Sequence, residues 1–219
     1  MENNNEALRT VRDIKSMMEK SSRFTSFSGT SAILIGTIAL AGATMVRSML
    51  TNTLDLSMAT SSLSKLITVG LAVFVLSLII VLFFSAQKAR KAGQKFASKQ
   101  MWRTLFNFLL PLFVGGLFCA SLIAGGEYRL LSPAMLLFYG LALVNASKYT
   151  YGSIFWLGCI ELLIGIFSLF FPSDYALLFW SIGFGWVHIV FGIYFYFAVE
   201  RKQFFSAISQ TGEKSSRRY

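Results

Sequence analysis

The chain has 219 residues, of which 55% are hydrophobic and only 14% charged, and its mean hydropathy is +0.61. That balance excludes an ordinary soluble domain and points to a bilayer. Twenty Lys and Arg against ten Asp and Glu give a net charge of +10, and these charges avoid the apolar runs almost completely.

About 20 residues are needed to cross roughly 30 Å of hydrocarbon as a helix. Windows of that length mark six spans: Phe27 to Val46, Leu66 to Ala86, Leu105 to Ala124, Leu130 to Ala146, Tyr151 to Phe171 and Tyr175 to Val199. The runs are continuous rather than alternating, which argues against a β-barrel and for helices that satisfy their own backbone. The expected fold is all-α: a polytopic membrane protein of six transmembrane helices, arranged as three antiparallel hairpins in one bundle. Residues 1–26 make a polar lead-in, 27–199 the membrane domain and 200–219 a basic tail.

Within the lead-in, Leu8, Val11, Ile14 and Met18 recur at helical spacing. They predict a short amphipathic helix at the membrane surface or against a loop, or simply a solvated entry to the first span. The first span carries Gly29, Ala32, Gly36, Ala39 and Ala43 on one helix face. In lipid such a face lets two backbones approach closely, so this helix is expected inside the bundle or at a dimer contact. The second span has no comparable face and should meet lipid.

The segment between the second and third spans is the most basic, with Lys88, Arg90, Lys91, Lys95, Lys99 and Arg103 and no acid. Lys91, Lys95, Lys99 and Arg103 would form one stripe if helical. Anchoring to anionic headgroups on the cytoplasmic side is the expected use, in preference to nucleic acid. When the N-terminus, this loop, the loop holding Lys148 and the C-terminus share one side, that side holds 17 of the 20 Lys and Arg. The positive-inside rule then makes both termini cytoplasmic.

In the third span, Pro111 removes one backbone hydrogen bond and Gly115, Gly116 and Cys119 form another small patch. Asn107 and Asn145 should lie at similar depth in neighbouring spans, where a hydrogen bond between them would join the helices. Cys119 and Cys159 are the only cysteines; both fall inside spans and read as packing residues.

The fifth and sixth spans each carry one ionisable residue near the middle, Glu161 and His188, and only Pro172, Ser173 and Asp174 join them. Counting from that turn puts both at about the same depth. Gly158, Glu161, Gly165 and Ser168 share one face, as do Ser181, Gly185, His188 and Gly192, so both ionisable groups should point into protein. A carboxylate at mid-bilayer costs at least about 2.5 kcal/mol. Glu161 is therefore protonated, hydrogen-bonded or next to a wet cavity, with His188 the first candidate partner and Tyr139, Thr37 and the backbone near Pro111 weaker ones. The pair could relay or couple protons, contribute to an incomplete metal site, or fix helix register.

HExxH, GxSxG, Walker-type and paired intramembrane Asp patterns are missing from the sequence, so no enzymatic activity is expected. No cofactor or metal is called for. The expected partners are the lipid bilayer and a further protein or second copy of the chain. The leading expectation is a small sensor or channel/transporter-like protein using Glu161 and His188. The alternative is a structural or interaction protein in which the pair only fixes packing.

The run Ala146 to Thr150, the residues Leu157, Gly158, Glu161 and Gly165, and the strings Leu178 to Gly185 and Val187 to Gly192 resemble a family of uncharacterised six-span bacterial inner-membrane proteins. Met18 to Phe24 is similar to that family's lead-in. The resemblance implies a bacterial cytoplasmic-membrane location and architecture without an activity. Gly158, Gly165, Pro172 and Gly192 are also similar in spacing to the two-helix unit of HdeD-like acid-resistance membrane proteins.

Overall fold

A computed structural model of the chain describes Thr10 and residues 26–52, 59–91, 93 and 97–201. The expected amphipathic helix of the lead-in, Lys95, and residues 202–219 of the basic tail lie outside the described residues. Among those described, the chain is helical with no strand. The helices are α1 (Gly29–Asn52), α2 (Ala59–Lys91), α3 (Lys99–Ala124), α4 (Leu131–Ser147, led in by a 3-10 turn at Tyr128–Leu130), α5 (Ser153–Ser168) and α6, a helical rod from Ser173 to Glu200.

Five of these are long and apolar enough to cross a membrane; α5, with 16 residues, is shorter. At 1.5 Å per residue it reaches only about 24 Å. The expected fifth span began at Tyr151 and ended at Phe171, but turns take up both margins, with Leu169 and Phe170 already in tight i to i−3 bonding.

The basic segment is not one helical stripe. Gly93 adopts φ +65°, a left-handed conformation that glycine reaches without a side-chain clash, and α3 starts afresh at Lys99. Ser98 caps it, its side chain accepting from the Met101 N–H. Arg90, Lys91, Lys99 and Arg103 are exposed. Lys88 departs from the headgroup role expected of it. Its ammonium donates to Glu200 Oε1 and to the Phe27 carbonyl, both at 2.7 Å, beside the rings of Tyr151 and Phe195.

The helix pairing differs from three successive hairpins. α1 packs on α2 and α3 on α4, but α5 packs most extensively on α4, and α6 on α1. Glycines explain the choice. Gly29 faces Gly192 and Gly36 faces Gly185, each so close that a Cβ on the α1 glycine would come 2.7 Å and 2.5 Å from the opposing carbonyl oxygen. Gly140 and Gly158 do the same between α4 and α5, at 2.9 Å and 2.8 Å. In a lipid solvent, where burying apolar side chains gains little, this backbone proximity is what makes one neighbour better than another. The α1 face from Gly29 to Ala43 is buried, as its spacing implied, and its partner is within the chain.

A core of Ala32, Leu143, Ile154, Leu157, Phe191 and Phe195 joins α1, α4, α5 and α6. Phe27 closes it with an edge-on ring contact to Phe195 at 5.2 Å. The most apolar stretch of α2 has no buried residue, and α3 has almost none.

Candidate functional site

Three helices meet around Glu161 and His188. Glu161 is completely buried on α5, on the face that carries Gly158, Gly165 and Ser168, all buried as well. His188 is 2% exposed and lies where α6 leaves a π-helical stretch, Ser181–Val187. Its Nδ1 is 3.4 Å from Glu161 Oε1. The two residues singled out by depth and spacing therefore do come together.

The bonding around the histidine differs from a simple pair. Nδ1 is 3.0 Å from the Gly183 carbonyl oxygen, and Nε2 is 2.7 Å from the Tyr139 hydroxyl on α4. A carbonyl can only accept, so Nδ1 carries a proton and donates it to Gly183. Nε2 of the neutral ring then accepts from the Tyr139 O–H. Both ring nitrogens are occupied. The Tyr139 and His188 rings are also in contact, and Phe184 closes over them.

Glu161 is left without such partners. Neither carboxyl oxygen has a hydrogen-bond partner among the described residues, although both are fully buried. The histidine lies within electrostatic reach, yet its proton is directed to the shorter contact at Gly183. The carboxyl is lodged where Gly183 has no side chain: a Cβ there would meet Leu136 and lie 2.6 Å from Glu161 Oε2.

The π-helical stretch makes this geometry possible. In an α-helix, positions five apart point about 140° away from one another. Where hydrogen bonds run from i to i+5 the turn is wider, and residues five apart come close to alignment. Gly183 and His188 are five apart, and the side chain of one bonds the carbonyl of the other.

Glu161 and His188 meet as their depth and spacing predict, whereas Tyr139, expected as a weaker partner for the acid, is the partner of the histidine instead. Thr37 bonds back to the Ile33 carbonyl and plays no part. Ser181, expected on the small-residue face, is half-buried and bonded to the Leu177 carbonyl, because the π-helical register hands its position to Gly183. Gly140 and Gly183 carried no separate signal in an α-helical reading.

Among the described residues no group of three His, Cys, Asp or Glu converges, so a metal would find at most two ligands here. The arrangement can hold a proton, exchange it between carboxyl and imidazole, or change the fit of α6 on α4 and α5 when its charge changes. No family model matches this chain, and no curated protein or solved structure shows significant similarity to it.

Proposed function

We propose that this is a six-span protein of a bacterial cytoplasmic membrane, with both termini cytoplasmic, in which Tyr139, His188 and Glu161 form an intramembrane proton-binding group. Its class is a small sensor or channel/transporter-like protein, whose response is the repacking of α6 when the group gains or loses a proton. The observation that carries this reading is the buried Glu161 carboxyl, without a hydrogen-bond partner, beside a fully bonded histidine. A carboxyl kept only for packing would be hydrogen-bonded, because leaving a buried polar group unsatisfied costs about 1–3 kcal/mol. An acid held at that cost within a membrane is a functional group by default. The charge count and the resemblance to six-span inner-membrane proteins support the topology and location; α5 then spans by local thinning of the bilayer or by help from the flanking turns.

A second reading, a structural protein, is favoured by one feature. His188 ties α4 to α6 through Tyr139 and braces the π-helical stretch through Gly183. The two readings part at Glu161. In proteoliposomes with a pH-sensitive dye inside, and by tryptophan fluorescence across a pH series, the wild type is expected to show proton movement or a pH-dependent change of state. Glu161→Gln should abolish it. Glu161→Met should melt in detergent at or above the wild-type temperature, since it removes an unsatisfied group. A wild type without any pH response, together with a lower melting temperature for Glu161→Met, would sink the proton-binding reading and leave the structural one.

A further inference from the structure

A groove of about 450 Å³ runs between α3 and α4, away from the Glu161 centre. Pro111 and Val114 of α3 and Phe138 and Leu141 of α4 form its apolar walls, and its polar lining residues are Asn145 and Lys148 at one end. Two contacts hold the walls in place. Gly115 lets Phe138 press against α3, where a Cβ would lie 2.5 Å from the Phe138 Cβ. Nearer the polar end, the Asn145 side-chain amide donates to the Asn107 carbonyl at 2.9 Å.

Lys148 stands at the C-terminal end of α4, exposed, with only a long 3.4 Å contact to Asn145 Oδ1. No carboxylate lies within ion-pair distance of it among the described residues, in contrast to Lys88, which is neutralised by Glu200. Among the residues that line the groove, Lys148 is the one cation, and it stands at the mouth of an apolar body without a carboxylate partner among the described residues. On the spanning topology proposed above, on which this inference rests, the body lies at hydrocarbon depth and the mouth at the cytoplasmic headgroups. Water has few hydrogen-bond partners along such walls, so the medium that fills the groove is acyl chain. The cation selects what the chain is attached to.

We propose that this groove is a binding site for one anionic phospholipid, with an acyl chain along Pro111, Val114, Phe138 and Leu141 and its phosphate on Lys148.

The test uses the full chain purified in detergent and titrated with phosphatidylglycerol or phosphatidylcholine of identical acyl chains. Bound lipid is counted by native mass spectrometry and stability is followed by thermal melting. Neither readout requires proton movement or a particular topology, so a failure of the lipid site is distinguishable from a failure of the proton-binding reading. Phosphatidylglycerol should bind more tightly than phosphatidylcholine and raise the melting temperature further. Lys148→Gln, at an exposed position, should weaken phosphatidylglycerol about fivefold, the worth of one lysine at an anionic surface, and leave phosphatidylcholine unchanged. Leu141→Trp, which fills the groove from an exposed position, should weaken both lipids. Arg90→Gln, an exposed cation on α2, should weaken neither. Equal binding of the two lipids, an equal loss in Arg90→Gln and Lys148→Gln, or undiminished binding to Leu141→Trp would overturn the proposal. So would a comparable stabilisation by glycerol phosphate, which has the anion and no acyl chain.

Discussion

Gly183 decides where the Glu161 carboxyl can sit. The glycine leaves the space, its carbonyl accepts the hydrogen bond of the His188 Nδ1–H, and the acid is consequently left without a donor. Gly183→Ala is expected to lower stability by about 1–3 kcal/mol, as overpacking in a filled interior does, with the loss read from melting in detergent. In the Glu161→Ala background the added methyl should cost less, because the carboxyl it displaces is gone. Equal costs in the two backgrounds would place the strain at Leu136 alone. Glu161 and His188 were legible in the sequence because an ionisable residue in an apolar run is rare and its depth can be counted from the nearest turn. The third participant was not, since Tyr139 looks like any aromatic residue near a helix middle, and only the fold says which nitrogen it meets.

Individual helices show how a backbone defect in one is repaired by a side chain of the next. Pro111 has no N–H, so the carbonyl four residues earlier, at Asn107, loses its intrahelical donor. That carbonyl is the one that accepts from Asn145 on α4, and the same amide also reaches Asn107 Oδ1 at 3.2 Å. Asn145→Ala is expected to cost about 1–2 kcal/mol in stability. In a Pro111→Ala background, where the helix can satisfy its own carbonyl, that cost should fall by half or more in a double-mutant cycle. An unchanged cost would mean that Asn145 acts only through the Asn107 side chain. The Asn107 and Asn145 contact was readable from depth alone, and the small-residue face of α1 from its spacing. The π-helical stretch in α6 was not, because periodicity arguments assume 3.6 residues per turn and a wider turn leaves no mark in composition. Neither was the preference of α6 for α1, since loop length brought α5 and α6 together and glycine spacing alone does not say which faces meet.

At the scale of the whole molecule, charge and exposure divide the bundle unequally. α1, α4, α5 and α6 share the core, while α2 and α3 present apolar surface over most of their length. The charge asymmetry makes a topology test decisive. Green fluorescent protein fused after Tyr219 should fluoresce, and alkaline phosphatase inserted at Glu127, in the turn between α3 and α4, should be active. The reverse pattern would invert the membrane orientation, and with it the side on which Lys148 and Lys88 lie. Overall class was the most legible level of all, because long apolar runs leave few alternatives. The short α5 is not legible in the sequence because hydropathy continues past Ser168 while the helix does not.

The closure of α6 on α1 also dictates an order of events at the ribosome. The Gly29 and Gly36 face is made early, yet the glycines it fits, Gly185 and Gly192, emerge only after four other helices have been made. Until then α1 is a nascent segment with an open seam, exposed to lipid or to the seam of another unfinished chain. Completion of α6, together with the Lys88 to Glu200 contact, is the step that closes this seam.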